Sequence, residues 1–388
     1  MKKFLLIIFI AFLSVSVFSQ NQIARTITWG GVERTYIEIA PADVSTPLPV
    51  MFLLHGLGDT KENMATVIRN ERPEWIYIVP QAKDFTITGV PLIGTVQIGT
   101  AWNMGGTISV TGLGNYPVNP DIDDSGFLMK ILDSLENNYN IDTDSVFFSG
   151  FSLGGFMTNR MALEHSDRIT GIASVSGTIG KDLTALPTDN LLALHIHGTS
   201  DEVINYNTGN VTFNVMGNQI NSNFGKTAEE TVEYWRAFNN CDATPITYTY
   251  PSESSNNLTF ERYYYLEGDN ESRTAFIKVI NGVHNWYMTP IDYFNEIIKF
   301  FKNQWETEAI SLNNFENEKI SIYPNPTSNN INIRTENENL LLEIFDIIGS
   351  KVFETHLNSL ENNINISKLN KGIYLVKIGD KVQNIIVQ

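Results

Sequence analysis

The chain has 388 residues, 42% hydrophobic and 11% aromatic, enough for a sizeable core in two domains or in one large domain with an appendage. Its 26 Lys and Arg against 43 Asp and Glu give a formal charge of −17 with no basic cluster, which argues against binding nucleic acid through its phosphates. The single cysteine, Cys241, excludes an intrachain disulfide and a Cys-rich metal site.

Residues 1–19 combine a basic start, Met1-Lys2-Lys3, an apolar stretch from Phe4 to Phe18, and Ser19 before Gln20. This layout predicts a secretory signal peptide cleaved near Ser19, because the apolar stretch is short for a membrane span. No later run reaches 18 apolar residues, so no transmembrane segment is expected in the mature protein.

Residues 20–305 alternate short apolar runs with helical patterns, the signature of an α/β domain with a mainly parallel sheet. Strands are predicted at Thr35–Ile39, Val50–Leu54, Ile76–Val79, Val146–Ser149, Ile172–Val175, Leu191–Ile196 and Ala275–Ile280. Helices are predicted at Phe127–Tyr139, Phe156–His165, Thr227–Phe238 and Ile291–Trp305. Two long irregular inserts, 85–120 and 205–225, interrupt the rhythm where lids or pocket walls are often found. Residues 306–318 read as a polar linker. Residues 319–388 then show short alternating strands separated by turns such as Asn325-Pro326, Ile348-Gly349 and Gly379-Asp380, which predicts a small all-β sandwich.

Gly150-Phe151-Ser152-Leu153-Gly154 fits the G-x-S-x-G nucleophile elbow, in which a serine sits on a tight strand-to-helix turn and only glycines allow the close packing. A strand leads in and a helix leads out. An acid and a base follow in the order of the α/β-hydrolase fold, each after a predicted strand: Asp201 in His197-Gly198-Thr199-Ser200-Asp201, and His284 in Asn281-Gly282-Val283-His284. Open α/β sheets place their sites at that edge. An early His55-Gly56-Leu57 loop adds a candidate oxyanion hole from the backbone N–H groups of Leu57 and Leu153. Asp242 and Asp269 are worse-placed acids, and His165 and His356 worse-placed bases. His195 and His197 share one strand face, where metal ligation lacks a nearby carboxylate or Cys partner. His55 suits support of the oxyanion loop better than proton transfer. Trp102 and Trp286 are candidate substrate-binding walls, with a core position the alternative for each. No metal or cofactor is expected.

Together these residues resemble the secreted esterases that include poly(3-hydroxybutyrate) depolymerases, feruloyl esterases and acetylxylan esterases. The resemblance runs from about Arg34 to Trp305. It is carried by Leu53-Leu54-His55-Gly56, Val79-Pro80-Gln81-Ala82, Asp123-Asp124-Ser125-Gly126-Phe127, Gly150–Gly155, 197–201, Tyr234-Trp235 and Asn240-Cys241. It implies Ser152 as nucleophile, Asp201 as acid and His284 as base. Two departures bear on acyl specificity. Val283-His284-Asn285-Trp286-Tyr287 stands where the family often has Gly-His-Thr-Trp-Pro, and the family's frequent disulfide at the position of Cys241 cannot form. Residues 322–327, 345–349 and 369–378 resemble the C-terminal sorting domain of the type IX secretion system, which implies that machinery as a partner and release or attachment at the cell surface. The function expected is a serine esterase removing feruloyl or acetyl groups from an esterified polysaccharide or oligosaccharide of the plant cell wall. Polyester depolymerase, serine peptidase and non-catalytic glycan-binding protein are the alternatives.

Overall fold

The structure, a computed structural model, describes residues 20–388 except 69–72, 91–93, 111–113, 216–217, 251–256, 306–319, 336–337, 347–348 and 379–380. The expected signal peptide, the expected linker and the Gly379-Asp380 turn lie outside the described residues, as does Ile348 of the Ile348-Gly349 turn. The chain divides into two compact units after Lys302.

The first unit is built on one ten-stranded sheet. In chain order its strands are β1 (Gln20–Trp29), β2 (Val32–Pro41), β3 (Leu48–Leu54), β4 (Ile76–Pro80), β5 (Ile141–Phe151), β6 (Gly171–Val175), β7 (Leu192–Gly198), β8 (Ile246–Thr249), β9 (Thr259–Tyr265) and β10 (Thr274–Ile280). Their spatial order is β1-β2-β4-β3-β5-β6-β7-β10-β9-β8. The six central strands from β4 to β10 are parallel, and antiparallel pairs extend the sheet at both edges. This is an α/β-hydrolase-like fold. In β3 and β4 the runs Val50 to Leu54 and Ile76 to Val79 are apolar and fully buried, as expected where helices cover both faces.

The helices are α1 (Lys61–Ala65), α2 (Asp124–Asn138), α3 (Leu153–His165), α4 (Ala228–Phe238) and α5 (Tyr293–Phe301). A capping box of Thr227 and Glu230 starts α4, and Asp292 caps α5 by accepting from the N–H groups of Phe294 and Asn295. The apolar pattern over Ile291–Trp305 had predicted a longer α5, which instead ends at Phe301. The inserts also differ from expectation. Most of their length folds as antiparallel hairpins, Lys83–Val90 with Gly94–Ala101, Thr107–Val110 with Gly114–Pro117, and Asn210–Val215 with Asn218–Asn223.

Chain order along the sheet reverses at β3: β4 lies on one side of it and β5 on the other. The loop after β3 runs toward β4 and the loop after β5 toward β6, so the carboxyl ends of β3 and β5 are a topological switch point, where open α/β sheets bind ligands.

The second unit has two antiparallel sheets. One holds Ser321–Tyr323, Asn330–Arg334 and Glu361–Asn365. The other holds Lys351–Leu357, Leu340–Phe345, Gly372–Ile378 and Lys381–Val387. Ile331 and Ile333 of the first share one core with Leu342, Ile344, Val376 and Ile385 of the second, so the unit is a sandwich.

Candidate active site

Ser152 lies where β5 turns into α3, with φ 57° and ψ −122°. An L-residue in this region is strained, and packing on every side holds it there. A Cβ on Gly150 would stand 2.3 Å from the carbonyl oxygen of Gly154, and one on Gly154 would stand 2.0 Å from that of Leu54. One on Gly177 would reach 2.4 Å from the Ser152 carbonyl oxygen. Three glycines thus let β5, α3 and the neighbouring strands approach backbone to backbone. The Ser152 N–H donates to the Val175 carbonyl at 2.9 Å, which ties the turn to the end of β6.

The loop after β3 leaves the sheet beside this turn, since Leu54 pairs with Gly150. A Cβ on Gly56 would lie 3.2 Å from the Ser152 Cβ. Leu153 is the first residue of α3, so its N–H has no acceptor one turn back within the helix. The Leu57 N–H likewise donates to no described residue. A buried network holds this loop. The Gly58 N–H donates to the Thr100 carbonyl at 2.8 Å. His55 Nδ1–H donates to the Gly56 carbonyl at 2.8 Å, while its Nε2 accepts from the Ala82 N–H and the Gln81 amide. Burial keeps the His55 ring below its usual pKa, which suits a neutral support.

Trp102, expected as a substrate-binding wall, is fully buried, and its indole N–H donates to the His55 carbonyl at 2.8 Å. It holds the loop after β3, the candidate oxyanion loop. Its neighbour Asn103 donates its N–H to Asp124 Oδ2, and Arg34 donates to Asp124 Oδ1 at 2.6 Å and to the Gln81 carbonyl. Gln81 and Asp124 stand in stretches that carried the family resemblance, and Asn103 adjoins Trp102. Their shared purpose is visible only when they meet.

Asp201 and His284 follow β7 and β10, which pair in parallel. The two loops are joined by a hydrogen bond from the Ser200 N–H to the Gly282 carbonyl at 2.9 Å. His284 Nδ1 lies 2.8 Å from Asp201 Oδ2. The other carboxylate oxygen, Oδ1, accepts from the N–H groups of Val203 and Ile204. Burial alone would raise the Asp201 pKa, but hydrogen bonds from His197 and His284 outweigh it and hold the carboxyl well below the usual range. Asp201 is therefore an anion aimed at the His284 ring.

The His284 ring is partly exposed and rests on Phe151, the residue before Ser152, with centroids 4.7 Å apart. Ser152 Oγ makes no hydrogen bond with a described residue. Sites without substrate often hold nucleophile and base apart in this way. Trp286 is half-buried two residues beyond His284, edge-on to Phe151 at 6.5 Å. The packing role of Phe151 was not anticipated from sequence. His195 and His197 bond to each other at 3.1 Å, and the carboxylate that the sequence reading found lacking beside them is that of Asp201, 3.4 Å from His197 Nε2.

Residues 122–234, which include Ser152 and Asp201, match the family model described as Phospholipase/Carboxylesterase. Residues 321–388 match the secretion system C-terminal sorting domain. NocK of Nocardia uniformis subsp. tsuyamanensis, itself a candidate esterase, is 27% identical over 68% of this chain and 73% of its own length. The bifunctional acetylxylan esterase/xylanase XynS20E of Neocallimastix patriciarum is 27% identical over 45% of this chain but 22% of its own length. Feruloyl esterase D of Neurospora crassa is 26% identical over 50% of this chain and 59% of its own length. Among solved structures, an acetyl xylan esterase from Aspergillus awamori aligns over 72% of this chain and 99% of its own, with 15% identity and a TM-score of 0.44. The sequence relatives support a carboxylic ester hydrolase. The sorting domain marks the chain for type IX secretion to the cell surface or extracellular space. Among the described residues no helix is long and apolar enough to cross a membrane.

Proposed function

We propose that the protein is a secreted serine esterase in which Ser152, His284 and Asp201 form a catalytic triad, and that it removes feruloyl or acetyl groups from plant cell-wall polysaccharide. The observation that carries the triad is the convergence of a strained, glycine-packed Ser152 with a His284–Asp201 pair bonded at 2.8 Å on one sheet edge. The substrate class rests on export and on the acetylxylan and feruloyl esterases among the relatives.

Ser152 Oγ attacks the ester carbonyl carbon while His284 Nε2 takes its proton. Asp201 holds Nδ1–H and stabilises the imidazolium. The carbonyl oxygen, now negative, lies between the N–H groups of Leu57 and Leu153, where one such donor is worth about 3–4 kcal/mol in the transition state. The alcohol leaves with the proton from His284. Water, deprotonated by the same base, then releases the acid from the acyl-enzyme.

The test is acid release from feruloylated, acetylated arabinoxylan, with Ser152→Ala as control. Ferulate or acetate from the wild type alone supports the reading and names the acyl group. A folded wild-type protein that releases neither, yet reacts with a fluorophosphonate at Ser152, redirects the proposal to polyester or peptide substrates. No reaction with the probe removes the enzyme reading.

A further inference from the structure

A second histidine reaches the same oxygen of Asp201 that holds His284. His197 Nε2 stands 3.4 Å from Asp201 Oδ2 and 2.9 Å from the Ile204 carbonyl oxygen, and both side chains are fully buried. Both neighbours of Nε2 can only accept, so Nε2 carries the ring proton; it bonds to the Ile204 carbonyl and reaches Asp201 Oδ2 as a longer, secondary acceptor. His197 Nδ1 must then accept, and its partner is His195 Nε2 at 3.1 Å. His195 Nδ1 accepts in turn from the Ser174 hydroxyl at 2.8 Å. Each proton in the chain Ser174–His195–His197–Asp201 is thereby assigned in one direction, without a conflict.

We propose that His197 is a positioning residue for the acid–base pair, a second imidazole N–H that shares Asp201 Oδ2 with His284, and that His195, held by Ser174, strengthens this donor by donating to its other ring nitrogen. The proposal rests on the triad reading above. It extends it by assigning the basicity of His284 in part to residues that touch neither substrate nor nucleophile.

The physical reason is a division of negative charge. Oδ1 is occupied by two backbone N–H groups, so the carboxylate keeps its orientation without His197. What His197 alters is the strength of Oδ2 as an acceptor. A donor already on Oδ2 lowers the attraction between the carboxylate and a protonated His284, and so favours the neutral base that catalysis requires. The surroundings leave few other charges to do this. On β10, Lys278 pairs in register with His197, but its ammonium bonds to Glu229 of α4 and lies over the Tyr206 ring. Tyr206 faces His197 edge-on with its hydroxyl turned to Glu229, and Phe276 stacks on His195. Burial and the neighbouring ring keep His195 well below its usual pKa, consistent with a neutral relay.

The test compares full-length wild type, His197→Leu, His197→Gln and His195→Leu through the acid limb of kcat/KM against pH on 4-nitrophenyl acetate. His197→Leu removes the donor and should move the limb up by about 0.5–1 pH unit. His197→Gln, whose amide N–H can reach the Nε2 position, should restore most of the shift. His195→Leu removes the donor to His197 Nδ1, which leaves Nε2–H a weaker donor, and should give a smaller shift of the same sign. A limb unchanged in both leucine variants, with only a lower Tm, would overturn the proposal. So would a glutamine variant that behaves like leucine. Should His197→Leu fail to fold, His195→Leu, one ring further from the carboxylate, decides the matter. Hydrolysis that survives Ser152→Ala would instead sink the triad reading. The NMR titration of the His284 ring in the same variants then tests the charge sharing by itself: the same upward shift supports it, and identical titrations reject it.

Discussion

The two units of this chain handle buried polarity in opposite ways. In the first, Arg34, Asp124, His55, His195, His197 and Asp201 are all buried, and they gather beneath the loops at the carboxyl edge of the sheet. In the second, the buried polar residues among those described are Thr327 and Thr335, and the core is otherwise apolar. Burying a polar group is costly unless each donor and acceptor is matched. On the proposed function, a unit that holds an oxyanion loop and an acid–base pair in fixed positions accepts that cost. A sorting domain that is recognised as a folded module need not.

This contrast can be broken most sharply at the nucleophile. Ser152→Ala should lower kcat by on the order of 10³–10⁶ while leaving Tm close to wild type, and kinetics with thermal unfolding would check both. Near-normal turnover would remove Ser152 from the chemistry.

The next effect tests whether the edge depends on backbone contact. Gly154→Ala places a Cβ against the Leu54 carbonyl, so α3 must move away from β3. The expected cost is about 1–3 kcal/mol in stability, with a loss of kcat as the Leu153 N–H shifts. Denaturant melts and steady-state kinetics on the same preparation would show whether the two losses occur together.

Arg34→Met addresses the buried charge itself. It leaves Asp124 unpaired, which should cost about 3–5 kcal/mol near neutral pH. Burial already raises the Asp124 pKa above its unfolded value, and losing Arg34 raises it further. The variant's stability deficit should therefore grow as pH rises above the ordinary carboxylate range and shrink on acidification. Urea melts at two pH values would measure it, and a deficit independent of pH would contradict the assignment.

The smallest effect on activity belongs to the second unit. Ile344→Ala opens a cavity in its core and should destabilise that unit by about 2–5 kcal/mol. Ester hydrolysis should not change. A fall in kcat/KM would mean that the two units are less independent than their cores suggest.

The fold was readable in proportion to burial. β3 and β4 appear as continuous apolar runs because both faces are covered, and a strand of that kind contains no polar alternation to confuse it with a loop. β1, β8 and β9 were missed. They are edge or near-edge strands with polar and tyrosine-rich faces, such as Thr259-Phe260-Glu261-Arg262-Tyr263, and their pairing comes from neighbours rather than local apolarity. Glu361–Asn365 is illegible for the same reason, since Glu-Asn-Asn-Ile-Asn has almost no apolar signal and is held by its ladder to Asn330–Arg334.

Sequence alone determined the local requirements of the candidate site: glycines around Ser152, an acid and a base each after a strand, and an H-G loop after an early strand. These are legible because a tight turn restricts residue type within a few positions. Tertiary structure decided which distant groups meet. It placed Trp102 under His55 rather than in a wall, joined Gln81, Asn103, Asp124 and Arg34 into one support, and turned His197 toward Asp201. Hydrogen-bond partners of this kind are set by how the sheet orders its strands and how loops return across its edge, and spacing along the chain carries no record of either.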